Sequence, residues 1–458
     1  MGTTSAVHTK KHPPGLFLLF FTEMWERFSY YGMRGILVLY LTTELVSGGL
    51  GMSATVAMSI YGFYTGAAYI APLVGGWLSD KYLGKRHAIT IGGITMAIGN
   101  FVIFWQQTQW AMFLGLVLLI IGNGFFKPNI SSLLGDLYDL NDPKRDAAYT
   151  IFYMGINVGA FLAPLVIALI TDKIMGGMQG NVMVYGYKWG FLASSIGMVI
   201  GQLLYNTLGN KYLGEHGLKP TGRTVNEKGV ATKQPLTKVE KDRTAVILIL
   251  ASFVIFFWAG FEQAGSSLTL YTNTFVDRTL FGFEIPTPWF QSINPLFIVL
   301  LAPVVSMVWT KLAHSKRGDI STPAKMGLGM ILLGSGFLIL LIAVLGTGNN
   351  PEAAFQPAHV MFIIMTYFFH TLGELCLSPI GLSMVSRMAP LKLASLLMGV
   401  WMASTGVANV LAGQLASVTQ SLGYFEVFAV IGGLAIVLGL ILLAFSKKLT
   451  KMMHLDKA

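Results

Sequence analysis

Seven ionisable side chains occur inside segments that are otherwise almost entirely apolar. They are four carboxylates and three cations, namely Glu23, Glu26, Arg27, Arg34, Lys127, Glu262 and Glu374. A charged side chain inside a membrane-spanning helix is costly, so a chain that keeps several of them uses them for function. Because both signs are present, most of these side chains can form pairs.

The first apolar segment carries a polar stripe. Its members, at offsets of 0, 3, 4, 7, 8 and 11 residues, are Glu23, Glu26, Arg27, Tyr30, Tyr31 and Arg34. At about 3.6 residues per turn they stack on one helix face, which must meet a wet cavity or partner helices. Carboxylates beside cations can load and release a proton, because burial and a nearby cation shift proton affinity in opposite directions. A static network of structural ion pairs is the alternative interpretation.

The elements that position these side chains are long apolar helices. Of the 458 residues, 54% are hydrophobic and 11% charged, and the mean hydropathy is +0.63. The apolar runs are continuous, unlike barrel strands, and each can cross a bilayer; the first is too long and too charged for a cleavable signal peptide. We predict an all-α polytopic membrane protein with 12 transmembrane helices in two six-helix bundles. The helices are predicted near 15–45, 53–79, 87–107, 109–138, 147–171, 185–209, 244–275, 287–312, 324–346, 356–387, 392–419 and 422–446.

Basic residues between the helices indicate orientation. Those on one face are Lys10, Lys11, Lys81, Lys85, Arg86, Lys144, Arg145, Lys311, Lys316, Arg317, Arg387, Lys392, Lys447, Lys448 and Lys451. The opposite loops carry little beyond Lys173, Lys188 and Arg278. By the positive-inside rule we expect both termini in the cytoplasm, and the net charge of +10 gives no reason to expect nucleic acid binding. The only cysteine is Cys376, which excludes an intramolecular disulfide.

A polar stretch divides the chain into two halves. We predict an N-terminal six-helix bundle over 1–209, a cytoplasmic linker over 210–243 and a C-terminal six-helix bundle over 244–458. Two bundles that rock about a site at the bilayer midplane are what an alternating-access carrier needs. A linker between two unrelated membrane domains is the alternative.

Several motifs resemble those of one transporter family. The run 23–32, EMWERFSYYG, closely resembles the ExxERFxYYG motif of the proton-dependent oligopeptide transporter (POT/PTR) family within the major facilitator superfamily. Segments 126–129, 152–159, 289–295 and 373–379 are similar to further signatures of the family, and 75–86 is similar to the superfamily's loop between helices two and three. The linker is too short and too polar to supply the two extra helices that many bacterial members have.

The resemblance implies a site for a zwitterionic peptide. Arg27 and Lys127 would hold its C-terminal carboxylate, and Glu374 with Asn157 and Asn294 would hold its N-terminal ammonium. A short zwitterion needs a cationic wall facing an anionic one, and these two sets fall largely in opposite halves. The other expected members of the substrate site are Tyr31, Tyr69, Ser378 and Trp401. Ordinary aromatic packing between helices accounts equally well for the tyrosines and the tryptophan.

The resemblance also implies proton coupling and gating. The expected residues are Glu23, Glu26, Arg34, Lys127, Glu262 and Glu374. Arg34 and Glu262 would join the halves on the outer side, and protonating Glu262 would weaken this attraction and permit opening. Lys127 and Glu374 would act similarly on each other when no peptide is bound.

Two further features have open interpretations. Asp80 and Arg86 lie in the expected cytoplasmic loop motif, which we interpret as a gate latch to neighbouring helix ends, or as a positive topology signal. His370 lies one helical turn before Glu374 on the same face, where it either tunes the proton affinity of that glutamate or is a satisfied core histidine.

These observations predict a proton-coupled symporter that imports di- and tripeptides across the cytoplasmic (inner) membrane of a bacterium by alternating access. We expect a functional monomer in membrane lipid, with no cofactor, no metal and no nucleic acid partner, and protons as the coupling ion. An intramembrane enzyme is disfavoured because the sequence has no paired-histidine metal motif, serine nucleophile elbow or aspartyl pair. A carrier of the same fold for another cargo, such as nitrate, an amino-acid conjugate or a drug, remains the alternative.

Overall fold

The computed structural model describes residues 12–139, 144–220, 236–315, 320–348, 356–390 and 393–454. The predicted linker segment 221–235 and the basic residues Lys10, Lys11, Lys316, Arg317 and Lys392 lie outside them. The described helices are α1 Pro14–Thr42, α2 Ala54–Leu78, α3 Lys85–Trp105, α4 Gln109–Gly135, α5 Arg145–Ala168, α6 Tyr187–Leu213, α7 Lys238–Phe261, α8 Ser267–Phe275, α9 Ile293–Ala313, α10 Thr322–Thr347, α11 Met361–Met388, α12 Ala394–Ser417, α13 Thr419–Leu422 and α14 Tyr424–Met453.

The long helices agree with the twelve predicted spans. Within the described ranges, ten spans are long and apolar enough to cross a membrane. The other two are α1 and α2, of 29 and 25 residues, and α1 carries four of the seven ionisable side chains. The pair α7 and α8 forms one span, as do α12 and α13.

Helix α6 continues to Leu213, and α7 begins after a capping box formed by Thr237 and Glu240. Both ends of the predicted linker are therefore helical. The sequence patterns around Leu213 and Thr237 are polar, and helical structure there depends on capping and helix continuation rather than on apolar periodicity. The division of the chain at 210–243 stays a prediction.

Short non-α segments interrupt or connect the helices. Glu262–Gly265 and Thr287–Ser292 are 3₁₀ turns that precede α8 and α9, and Leu45–Ser47 follows α1. Ser79–Leu83 and Leu169–Ile174 are π-helical ends of α2 and α5. The strands are β1 Gly177–Gln179, β2 Val182–Val184, β3 Val276–Asp277, β4 Thr279–Leu280, β5 Phe283–Glu284 and β6 Ala358–His359. β1–β2 and β4–β5 pair antiparallel, and β3 pairs with β6 in parallel.

Two apolar clusters underlie the architecture. One is built from helices α1 to α6 and includes Met33, Phe126 and Phe191, joined by two residues of α8 and α12. The other is built from helices α7 to α14 and includes Phe257 and Phe337. Each set of helices thus packs around its own core, and a space remains between the sets.

The two sets meet closely at one end of the bundle. We call the end where α1 ends and α2 begins the distal end, and the end where α2 ends and α3 begins the proximal end. Near the distal end α2 crosses α12 at Gly62 and Gly413, where a Cβ on Gly62 would lie 2.6 Å from the Cα of Gly413. Only glycine allows backbones to approach this closely.

Candidate functional site

A cavity of about 450 Å³ lies between the two sets of helices. It is lined by all nine residues predicted for substrate binding: Arg27, Tyr31, Tyr69, Lys127, Asn157, Asn294, Glu374, Ser378 and Trp401. Glu23, Arg34 and Glu262 line it too, whereas Glu26 is fully buried behind Arg27. The structure therefore brings together side chains that are up to several hundred positions apart in sequence.

The N-terminal wall is cationic but partly neutralised. The guanidinium of Arg27 forms an ion pair with Glu26, with 2.7 Å between Nη2 and Oε1, and its Nε lies 3.3 Å from Oε1 of Glu23. The contact between Arg27 and Glu23 follows from the helix, because these residues are one turn apart on the same face. The other carboxylate oxygen of Glu23 is buried and accepts no hydrogen bond from the described residues.

Lys127 comes to the same wall from α4. Its Nζ lies 4.2 Å from the ring centroid of Tyr69, a cation–π contact. It forms no ion pair with a described residue, including Glu374, with which the sequence predicted an interaction. Of the two cations Arg27 and Lys127, Lys127 is therefore the one that a ligand carboxylate can contact without displacing a carboxylate of the described residues.

The opposite wall is anionic and comes from α9 and α11. The Nδ2 of Asn294 donates to Oε2 of Glu374 at 2.9 Å and lies 3.1 Å from the Oγ1 of Thr371. Asn157 belongs to the N-terminal set, and its amide donates to the carbonyl of Tyr153 on its own helix at 3.0 Å. Asn294 therefore contacts Glu374 as the predicted pairing requires, and Asn157 does not in this arrangement.

The distal end of the cavity is closed by an ion pair across the two sets. Arg34 of α1 pairs with Glu262, which lies in the 3₁₀ turn between α7 and α8, and both are buried. The Nε of Arg34 donates to the hydroxyl of Tyr61 at 2.5 Å. From this pair the cavity extends toward the proximal ends of α4 and α5, at Ser131 and Tyr153.

The sequence analysis missed several polar members of the site. The hydroxyl of Tyr61 accepts a hydrogen bond from Arg34, and the hydroxyl of Thr371 accepts one from the amide of Asn294. Gln291 lines the cavity. Spacing was the available signal, since Thr371 lies three residues before Glu374 and Tyr61 lies eight before Tyr69, about two turns along α2.

His370 lies at the edge of the cavity in apolar surroundings. Its ring centroid is 4.8 Å from that of Phe337 and 6.3 Å from that of Phe261. Its Nε2 is buried and has no hydrogen-bond partner among the described residues, Glu374 included. Gly336 leaves room for the ring, because a Cβ there would lie 2.6 Å from the imidazole Cδ2. The ring contacts agree with the interpretation of His370 as a core histidine, but its Nε2 forms no hydrogen bond with the described residues.

The loop residues Asp80 and Arg86 lie away from the cavity. The Nη1 of Arg86 donates to the carbonyl of Gly214 at 2.9 Å, and its Nη2 donates to Oδ1 of Asn210 at 2.7 Å. Lys85 pairs with Asp136 at 2.6 Å. Arg86 thus binds the end of α6, a neighbouring helix within its own set, and the gating role of the loop stays a prediction.

Comparison with known proteins places these features in context. Residues 86–231 and 210–430 match the family model described as the POT family. The chain is 34% identical to the uncharacterized transporter YclF of Bacillus subtilis, covering 96% of this chain and 95% of that one. It is 30% identical to a di-/tripeptide transporter of Lactococcus lactis subsp. cremoris, covering 96% of each. It is also similar to the crystal structure of a peptide transporter POT in complex with sulfate, with a TM-score of 0.86, 32% identity and 96% of each chain covered.

Proposed function

The chain belongs to the POT family, and on that premise we propose that it is a proton-coupled symporter that imports di- and tripeptides by alternating access. The chain is a multi-pass membrane transporter with the major facilitator fold and not an enzyme. Its relatives support the cargo, because the Lactococcus lactis protein is named a di-/tripeptide transporter.

The observation that carries the proposal is the pair of oppositely charged walls in one cavity. On the N-terminal wall, Lys127 offers an ammonium that forms no ion pair within the described ranges, and on the other wall Glu374 offers a carboxylate held by Asn294. A di- or tripeptide carries a carboxylate and an ammonium a short, fixed distance apart. Bound across the cavity, it draws the two sets of helices together by contacts that neither wall can make alone.

Proton coupling follows from the residues beside Lys127. Arg27 is engaged by Glu26 and Glu23, so it cannot contact a peptide carboxylate fully until one of them releases it. Oε2 of Glu23 accepts no hydrogen bond from described residues, so a proton can bind there without breaking one. That proton weakens the attraction between Glu23 and Arg27. The Arg34–Glu262 pair is a second contact that depends on a carboxylate charge, and neutralising Glu262 removes its attraction to Arg34.

The remaining features of the proposal concern the setting of the protein. The distal end faces the outside, both termini are cytoplasmic, and the protein works as a monomer in the inner membrane of a bacterium. Protons are the coupling ion, and the transport cycle requires no resident cofactor. The basic residues Lys81, Lys85 and Arg86 lie at the proximal end, and the positive-inside rule expects such residues on the cytoplasmic face.

Purified protein in liposomes tests this function. With an inward acid gradient, wild type should accumulate labelled dialanine, and a proton ionophore should abolish accumulation. Glu26→Gln should abolish it as well, whereas Glu44→Gln, a change at an exposed loop carboxylate, should not. Competition by nitrate or free amino acids, but not by unlabelled dialanine, would contradict the peptide cargo. Accumulation that survives the ionophore would contradict proton coupling.

A further inference from the structure

Segment 289–294, which lies within the sequence signature 289–295, joins the two sets of helices near the distal end. The indole Nε1 of Trp289 donates to the carbonyl of Leu165 at 3.1 Å. The hydroxyl of Ser292 donates to the carbonyl of Phe161 at 2.8 Å, and Ser292 is buried. Both acceptors are backbone groups one turn apart on α5. The segment therefore forms two hydrogen bonds across the interface between the sets.

The same segment reaches the cavity. Asn294, two residues after Ser292, donates to Glu374, and Gln291 donates to the hydroxyl of Thr269 on α8 at 3.3 Å. The segment is a 3₁₀ turn running into α9, so its backbone is short and held at both ends. One side-chain hydrogen bond and a backbone of two residues therefore connect Glu374 with Ser292, and a shift of Glu374 can reach Ser292 along this path.

The contacts of this segment differ chemically from the Arg34–Glu262 pair. Indole, hydroxyl and amide groups do not titrate near neutral pH. Glu262 instead carries an ionisable carboxyl group. The charged and titratable groups within electrostatic reach of it are Tyr30, Tyr31 and Arg34 of α1, Tyr61 and Tyr69 of α2, Lys127 of α4, and Tyr367 and Glu374 of α11. The two contacts are neighbours, because a Cβ placed on Gly35, the residue after Arg34, would lie 3.8 Å from the Cβ of Pro288 and 3.9 Å from the Cβ of Pro164.

We propose that segment 289–294 is a second distal latch, which does not titrate and whose closure depends on the state of Glu374. Trp289 and Ser292 are positioning residues: they hold α5 against the C-terminal set, and Asn294 ties them to Glu374. The distal end then opens only when both contacts are released, one by a proton on Glu262 and the other by a change at Glu374. This inference builds on the proposed transport function.

Labelling of a cysteine at the distal end tests the latch without requiring transport. Leu39 is buried and lines a separate distal cavity of about 320 Å³ between the sets. In purified protein with Cys376→Ala and Leu39→Cys, the rate of maleimide labelling measures distal opening. Ser292→Ala and Trp289→Phe should each raise this rate roughly three-fold, the average worth of one interhelical hydrogen bond in membrane proteins. In a Glu374→Gln background the factor should be the same at acid and neutral pH after correction for maleimide reactivity, because the groups of the segment itself do not titrate.

The matched control is Ser292→Thr, which keeps the hydroxyl and should label at the wild-type rate. Glu262→Gln removes the charge that attracts Arg34 and should also raise labelling. The latch is refuted if neither Ser292→Ala nor Trp289→Phe changes the rate, or if Ser292→Thr labels as fast as Ser292→Ala. Failure of dialanine uptake by the wild type would count against the transport function and would leave this readout intact.

Double-mutant cycles on the same labelling rate test the link to Glu374. Ser292→Ala and Glu262→Gln remove independent contacts, so their effects should multiply. Ser292→Ala and Glu374→Gln act on one connected segment, so their combined effect should differ from the product by about two-fold or more. Multiplicative behaviour of the second pair would show that Glu374 does not act through the segment.

Discussion

At the scale of single residues, the cavity distinguishes two cations of equal formal charge. Arg27 is buried between Glu23 and Glu26, and its contacts are complete without a ligand. The ammonium of Lys127 lies over the ring of Tyr69, forms no ion pair with the described residues and lines the cavity. The difference arises because Arg27 has carboxylates on its own helix, one and four residues before it, whereas α4 carries no other ionisable side chain near Lys127. We therefore expect Lys127 to provide the first contact for a peptide carboxylate.

Replacing Lys127 should reduce the affinity for dialanine. Lys127→Met removes a charge-assisted hydrogen bond, worth about 1.5–3 kcal/mol, so the Kd should rise at least ten-fold. Binding measured by calorimetry or by thermal shift checks this. Lys188→Met, at a lysine that stacks on Trp189 outside the cavity, is the matched control. Dialanine amide lacks the carboxylate, and its affinity should be unaffected by Lys127→Met; an equal loss for both ligands would contradict the assignment.

At the scale of helices, prolines bend the spans and tertiary contacts restore the lost hydrogen bonds. Pro72 lies inside α2 and has no N–H, so the carbonyl of Ala68 loses its helical donor. Asn123 of α4 supplies the replacement, with its Nδ2 donating to that carbonyl at 2.6 Å. Prolines also lie inside α4, α5, α9 and α11, which all contribute to the cavity.

The pair Pro72 and Asn123 gives a test in which the second change rescues the first. Asn123→Ala leaves the carbonyl of Ala68 without a donor and should destabilise the protein by roughly 1 kcal/mol. Adding Pro72→Ala restores the backbone N–H, so the double variant should regain most of the lost thermal stability in detergent. Asn206→Ala, which removes an amide on α6 away from the α2–α4 contact, serves as the control. A double variant less stable than Asn123→Ala alone would refute this account.

Glycine at the α2–α12 crossing gives a second test at this scale. In Gly62→Ala the new Cβ would lie 2.6 Å from the Cα of Gly413 and 2.9 Å from the carbonyl oxygen of Asn409, so the helices must separate. We expect faster distal labelling of Leu39→Cys and reduced dialanine uptake. Gly433→Ala on α14, whose Cβ would meet nothing within 4 Å, should change neither. Normal labelling in Gly62→Ala would mean that the distal end does not depend on this close approach.

At the scale of the whole molecule, two apolar cores enclose one charged cavity. Each core is made within its own set of helices, and the strongest polar contacts between the sets are at the distal end. In the proposed transport cycle, substrate and protons act on the interface between the sets and leave the packing within each set unchanged, as a rocking motion requires.

If the two sets are independent units, a covalent connection between them is dispensable once they have assembled. A protease site inserted within 221–235 should be cleaved in purified protein, and the two fragments should stay together in detergent. Dialanine uptake after reconstitution should stay within about two-fold of the uncut protein, because the described residues that line the cavity belong to the two sets of helices. A matched site placed after Gly423, within the C-terminal set, should impair uptake. Dissociation of the fragments would contradict independent units.

The sequence alone determined the membrane class and the twelve spans, because hydropathy and helical spacing are local properties of the chain. The polar stripe of α1 and the isolated charges at Lys127, Glu262 and Glu374 stand out for the same reason. The nine expected substrate-site residues, which line the cavity, came from the resemblance to a transporter family and not from hydropathy. The pair of Arg34 with Glu262, 228 positions apart, was expected from the family resemblance and is present in the structure. Only the tertiary structure decided the surroundings of Lys127, which does not pair with Glu374 in the described part of the chain.

Two further features had no local signal. The contacts of Trp289 and Ser292 end on backbone carbonyls of α5, and a backbone acceptor is present at every position of a sequence. The 3₁₀ turn at Glu262 is set by the packing of α7 and α8 against α12, where Gln263 donates to the carbonyl of Ala412 at 3.1 Å. Pairing between distant helices depends on which surfaces pack together, and the linear pattern of side chains does not specify that.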